Sequence, residues 1–182
     1  LAERPAYSPK STVKLTEVQL EICTKLKAQM TGFKPHLLEG VTGSGKTEIY
    51  IECIKDVIAK GHQALVIIPE IGLTPQTKQR FEAALGCEVP LIHSGLTEAE
   101  RGRTWAMARS GAAHVVLGTR SSVFCSFRQL GLIVVDEEHD QSFKQQDHPR
   151  YSARDVAVKR AQICNCPIIM GSATPSLETI AN

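Results

Sequence analysis

The chain of 182 residues is the size of one ordinary domain, and its 42% hydrophobic and 22% charged residues exclude collagen-like, low-complexity and intrinsically disordered classes. No apolar run approaches the roughly 18 residues of a membrane span, and residues 1–11 carry Glu3, Arg4, Pro5, Pro9 and Lys10 where a signal peptide would be apolar, so a cytoplasmic protein without a membrane partner is expected. With 21 basic and 19 acidic side chains the net charge is +2, which rules out a bulk field for nucleic acid and leaves room only for local binding.

Residues 1–13, with their prolines and Ser/Thr neighbours, read as an incoming linker, and 14–182 as the folding unit. Thr16-Glu17-Val18-Gln19 has capping-box spacing, and Val18, Ile22, Leu26 and Met30 recur every four residues, which predicts a helix with those four on its inner face, stopped by Gly32. Six short apolar runs then alternate with helical segments: His36–Glu39, Ala64–Ile68, Val89–His93, His114–Leu117, Leu132–Val135 and Ile168–Met170. Strands this apolar cannot face water, so the fold class is α/β, a central parallel sheet with helices on both faces. The six cysteines are scattered, and Cys164-Asn165-Cys166 lacks the spacing of a zinc knuckle; reduced thiols and no structural metal are expected.

The strongest chemical signal is Gly40-Val41-Thr42-Gly43-Ser44-Gly45-Lys46-Thr47. It has the spacing of a phosphate-binding loop and lies between a predicted strand and a predicted helix, as that loop requires. Gly40, Thr42, Gly43, Ser44 and Gly45 would bring backbone amides onto the phosphates of ATP, at the positive end of the following helix. Lys46 would reach the β- and γ-phosphates, and Thr47 would offer a hydroxyl to Mg²⁺. The second signal is Leu132-Ile133-Val134-Val135 followed by Asp136-Glu137-Glu138-His139, an apolar strand delivering carboxylates at its C-terminal end, where ligands bind in open α/β sheets. Asp136 would hold Mg²⁺ and Glu137 would act as general base on the attacking water. A P-loop kinase for a small metabolite uses similar parts, but leaves Gly171-Ser172-Ala173-Thr174, after the sixth strand, without a role.

Gly40 to Thr47, Asp136 to His139 and Gly171 to Thr174 together resemble motifs I, II and III of superfamily 2 helicases, the second in a DEAH-like form. Pro69 to Gln76, Gly118 to Ser121 and the run Asp136 to Asp155 narrow the resemblance to the primosomal replication-restart helicases. The resemblance spans residues 14–182 and covers the first of two RecA-like lobes. It implies a 3′ to 5′ DNA helicase that remodels stalled forks for replication restart in the bacterial cytoplasm, close to the nucleoid. Its partners would be single-stranded and forked DNA, the second helicase lobe, primosome proteins and single-strand-binding protein. Another superfamily 2 translocase is the alternative. The lobe by itself is expected to be nearly inactive, because the arginine that stabilises the transferring phosphoryl group belongs to the second lobe.

Residue by residue, the resemblance makes Gln19 the reader of the adenine edge, while its position also suits a cap partner of Thr16. His139 joins the catalytic set, and Ser172 and Thr174 couple it to the phosphate state, on a strand expected to lie between those ending at Glu39 and Val135. Gln76, Thr119, Arg120 and Ser121 line the path of single-stranded DNA; Thr119 and Ser121 as helix caps are the alternative. Gln141 to Asp155 resembles an aromatic-rich loop that couples DNA contact to hydrolysis. In it Phe143 and Tyr151 would stack on bases, or else anchor the loop, with Lys144, Arg150 and Arg154 taking backbone charge.

Overall fold

The computed structural model describes residues 7, 14–41, 43–146 and 150–173. Thr42, Thr174 and nearly all of the linker 1–13 therefore lie outside the described residues; Tyr7, the exception, packs edge-on against His114 with ring centroids 5.7 Å apart.

In chain order the elements are α1 (Glu17–Gln29), β1 (Pro35–Glu39), α2 (Lys46–Ala59), β2 (Gln63–Ile67), α3 (Pro75–Leu85), β3 (Leu91–Ile92), α4 (Glu98–Ser110), β4 (Val115–Gly118), β5 (Leu130–Val135), β6 (Lys144–Gln145), β7 (Tyr151–Ser152), α5 (Ala153–Ile163) and β8 (Ile168–Ser172). Six strands form one parallel sheet in the order β1-β8-β5-β2-β4-β3, so β8 lies between β1 and β5 as expected. Its register sets Glu39 beside Ser172 and Val135 beside Met170, and brings the ends of three strands to one edge.

Strand residues alternate between two cores. Val66, Leu132, Val134 and Ile169 pack with Ile54, Phe81 and Leu85 of α2 and α3, whereas Leu65, Ile67, Ile133, Val135 and Ile168 pack with Ala108, Ala157 and Ala161 of α4 and α5. The period-two pattern thus faces apolar residues both ways, which is why these strands read as continuous hydrophobic runs.

Helix ends follow their local chemistry. Thr16 caps α1 and Thr97 caps α4, each in a reciprocal capping box, with Gln19 and Glu100 as the returning side chains. Of the four residues expected on the inner face of α1, Met30 is buried and Ile22 and Leu26 pack against the core, joined by the buried Cys23, whereas Val18 is 66% exposed. The stretch from Gln141 is likewise not a single loop. It forms a 3₁₀ turn (Gln141–Phe143), an antiparallel β6-β7 ribbon and the start of α5, whose Ser152 cap accepts from the amide of Asp155.

Candidate nucleotide site and nucleic-acid interface

Gly40 follows β1, Ser172 ends β8 and Asp136 follows β5, and the three adjacent strand ends bring the loop and carboxylates together. Backbone bonds stitch them: the Gly40 amide donates to Ser172 O at 3.0 Å, and the Glu138 amide to Gly171 O at 2.9 Å. The loop enters α2 through Gly45, with φ +84°, in the left-handed region that residues with a Cβ rarely adopt. A Cβ there would also collide with the Gln19 amide.

Gln19 combines both readings of its geometry. Its Oε1 accepts from the Thr16 amide at 2.9 Å, and its Nε2 donates to the carbonyls of Ser44 and Gly45 at 3.4 and 3.5 Å, tying the α1 cap to the phosphate loop. Lys46 is buried, its Nζ 2.6 Å from Gly40 O and 3.6 Å from Glu137 Oε1. Ser44 and Gly43 are exposed at the loop's crest.

Glu137 adopts φ +48°, a left-handed backbone uncommon outside glycine. A tight turn holds it there, with the Asp140 amide donating to Glu137 O at 2.8 Å, so the chain aims Glu137 at Lys46 and buries Glu138. Such conformations cost of order 1–3 kcal/mol and cluster at functional sites. His139 shares a hydrogen bond with Ser172 Oγ through Nδ1 at 2.9 Å, and its Nε2 lies 3.8 Å from Glu137 Oε2. Motifs II and III are therefore in direct contact. Burial pushes the Asp136 carboxyl above the ordinary range, and the hydrogen bond it accepts from the Tyr50 hydroxyl at 2.9 Å opposes that shift. Asp136, Glu137 and Thr47 border one cavity of about 290 Å³.

The expected DNA contacts separate into three groups. Gln76, Ser121, Lys144 and Arg150 are exposed, and an open depression of about 670 Å³ is lined by Lys144, Gln145, Gln146, Arg150, Tyr151 and Ser152. Arg120 donates to the carbonyls of Ser142 and Lys144 at 3.3 and 3.4 Å, bridging motif Ib to the turn before β6. Tyr151 packs edge-on against Phe124, which is half exposed, with ring centroids 5.0 Å apart.

Three residues do not present their side chains to a DNA path, and for Phe143 the anchoring alternative is the one that holds. Phe143 is only 2% exposed and belongs to the core on the α4–α5 side, so it anchors the turn and offers no face to a base. Arg154 is held at 3.3 Å from the fully buried Glu138 carboxylate and at 2.9 Å from Asp155, an ion pair rather than a cation presented to a phosphate backbone. A buried carboxylate demands such a partner, and Arg154 at the start of α5 supplies a guanidinium to it. Thr119 is buried and makes no side-chain cap; its carbonyl accepts from Ser122 Oγ at 2.7 Å.

Sequence reasoning did not single out Tyr50, Phe124 or the pairing of Glu138, and gave Gly171 no role of its own. Tyr50 carried one usable signal, since it lies four residues after Lys46 and so on the same helical face. Phe124 carried another, an aromatic one turn beyond Arg120.

Comparison with known proteins agrees with this geometry. Residues 16–182 match the DEAD/DEAH box helicase family. The chain is 55% identical over 152 residues to replication restart protein PriA of Haemophilus influenzae, covering 84% of this chain and 21% of that protein. With PriA of Synechocystis it shares 47% identity over 180 residues, 98% of this chain and 22% of the relative. With PriA of Bacillus subtilis it shares 49% over 148 residues, 81% of this chain and 18% of the relative. The chain thus spans only about a fifth of the length of these curated relatives. Among solved structures, RecG bound to a three-way DNA junction superposes with TM-score 0.66 at 25% identity, over 94% of this chain and 22% of that one. The UvsW helicase of bacteriophage T4 shares the fold with TM-score 0.61 at 16% identity, over 92% of this chain and 55% of its own. A phosphate loop, an acidic strand end and a Ser172–His139 contact on this sheet, matched from residue 16 to residue 182, make the chain a member of the DEAD/DEAH box helicase family.

Proposed function

We propose that this chain is the ATP-binding lobe of a DNA helicase that remodels stalled replication forks, working in the cytoplasm on single-stranded and forked DNA with 3′ to 5′ polarity. The observation that carries it is the convergence of Lys46, Asp136, Glu137 and the His139–Ser172 pair at one sheet edge. Similarity to replication restart proteins supports the fork, and likeness to RecG, solved on a three-way DNA junction, supports a branched substrate. No helix among the described residues is long and apolar enough to cross a membrane.

Mg²⁺ suits the residues present. The Thr47 hydroxyl and Asp136 carboxylate are hard oxygen donors bordering one cavity, and among the described residues no group of three or more His, Cys, Asp or Glu could hold a metal by itself. Few protein ligands beside nucleotide phosphates is the arrangement Mg²⁺ favours. When bound, it would neutralise charge on the β- and γ-phosphate oxygens. Lys46 exchanges the Gly40 carbonyl for a phosphate oxygen, keeping Glu137 within reach of its ammonium. Glu137 takes the proton of the attacking water. His139, between Glu137 and Ser172, registers whether the γ-phosphate is present and passes that state to β8. Arg120 ties the motif Ib turn to the segment leaving motif II, so DNA against Lys144, Arg150 and Tyr151 would pull on the residues that hold the water.

The test is ATP hydrolysis by the intact protein with and without single-stranded DNA. Lys46→Ala should lose nucleotide binding and hydrolysis together. Glu137→Gln should keep ATP bound while turnover falls by about 10²- to 10⁴-fold, the usual worth of a general base. Full turnover in Glu137→Gln places the base elsewhere.

A further inference from the structure

We infer that Tyr50 is a positioning residue for the metal-binding carboxylate, held in place by a gap that Gly171 leaves in β8. The inference rests on the reading of Asp136 as an Mg²⁺ ligand and adds a role for two residues outside that ligand set. Tyr50 is 1% exposed, and its hydroxyl donates to Asp136 Oδ1 at 2.9 Å from a residue 86 positions away in sequence. A tyrosine hydroxyl has one hydrogen, so this bond commits its donor to the carboxylate.

The hydroxyl reaches Asp136 because nothing projects from β8 at that level. A Cβ on Gly171 would collide with the Tyr50 hydroxyl and lie 3.0 Å from Asp136 Oδ1. Gly171 is part of Gly171-Ser172-Ala173-Thr174, and its carbonyl accepts from the Glu138 amide, so the strand that carries Ser172 to His139 also makes room for Tyr50. Lys46 and Tyr50 share one face of α2. The helix that delivers the phosphate-binding ammonium therefore also sets the carboxylate opposite it. The bond from Tyr50 fixes the orientation of the Asp136 carboxylate in the cavity that Thr47 also borders. Groups that orient a metal ligand typically cost about 10- to 100-fold in metal affinity when removed.

The experiment uses the full-length protein, with Mn²⁺ as the probe in the presence of a non-hydrolysable ATP analogue and free Mn²⁺ read by electron paramagnetic resonance. Tyr50→Phe deletes one oxygen and keeps the ring. It should weaken Mn²⁺ binding by about 10- to 100-fold. The Mg²⁺ concentration for half-maximal hydrolysis should rise in parallel, and maximal turnover should recover at saturating Mg²⁺. A purely structural tyrosine would lower the melting temperature and leave the metal requirement alone, so unchanged Mn²⁺ binding in Tyr50→Phe overturns the inference. Gly171→Ala provides the second arm. It should weaken Mn²⁺ binding in the wild-type background and do so less in a Tyr50→Phe background, where the colliding hydroxyl is gone; equal effects in both backgrounds count against the inference. Asp136→Asn separates the two levels: wild-type Mn²⁺ affinity in that variant overturns the ligand assignment itself, whereas weak binding there with normal binding in Tyr50→Phe overturns only the positioning role.

Discussion

The edge where β1, β8 and β5 end belongs to the six-stranded sheet and the surface around β6 and β7 to a separate two-stranded ribbon, and the two are built on opposite terms. At the nucleotide edge the ionisable groups are held by named partners: Lys46 by Gly40 and Glu137, Asp136 by Tyr50 of α2, His139 by Ser172 and Glu137. Around the ribbon, Lys144 and Arg150 project into solvent, and the contacts that matter run through backbone carbonyls and an edge-on aromatic pair. The two proposed ligands account for the difference. A triphosphate presents the same few atoms each time, so a fixed constellation that needs no rearrangement binds it best. A strand of variable sequence presents a charged backbone and interchangeable bases, for which exposed cations and aromatic edges suffice.

Phe143 lies on the boundary between the two regions and offers the most severe way to break the comparison. Because it is a core residue, Phe143→Ala should destabilise the fold by about 3–5 kcal/mol, read by chemical denaturation, with DNA stimulation of hydrolysis lost only as the protein unfolds. A stable Phe143→Ala that binds DNA poorly would move this ring to the DNA side. Tyr151→Ala sharpens the contrast. Tyr151 is half-buried, and its removal should weaken single-stranded DNA binding by about 1–3 kcal/mol and blunt DNA-stimulated hydrolysis while basal hydrolysis persists. If Tyr151→Ala melts early and keeps full stimulation, the ring is an anchor like Phe143.

The smallest effect concerns what the tight site does to stability. Burial holds the folded Asp136 carboxyl above its ordinary pKa. Below that ordinary value both folded and unfolded states are protonated and Asp136 contributes nothing. As pH rises, the unfolded state ionises first, so the buried carboxylate subtracts stability through that window and continues to do so above the folded pKa. Asp136→Asn should therefore melt a few degrees higher than wild type at pH 7.5 in the absence of nucleotide, and the gain should shrink as pH falls to 4. An increment that is the same at both pH values would show that charge burial is not its source.

Much of this organisation was legible in the chain. Six apolar runs became the six strands of the sheet, although Val89–His93 shortened to Leu91–Ile92, and the Thr16–Gln19 spacing became a true capping box. These features are local: a turn of helix, a pleat or a phosphate loop is set by residues within a few positions, and periodicity records it. The pairings between distant polar groups were not legible. That Tyr50 meets Asp136 86 positions away, that Arg154 neutralises Glu138, and that Phe143 turns inward all depend on β8 inserting between β1 and β5 and on α5 packing beneath the turn that follows motif II. Sequence alone determined which residues carry charge at the strand ends and which segments form strands. Strand order decided which of those charges are buried against each other and which face water, because side-chain reach spans only a few ångströms and neighbourhood at that distance is created by the sheet, not by the chain.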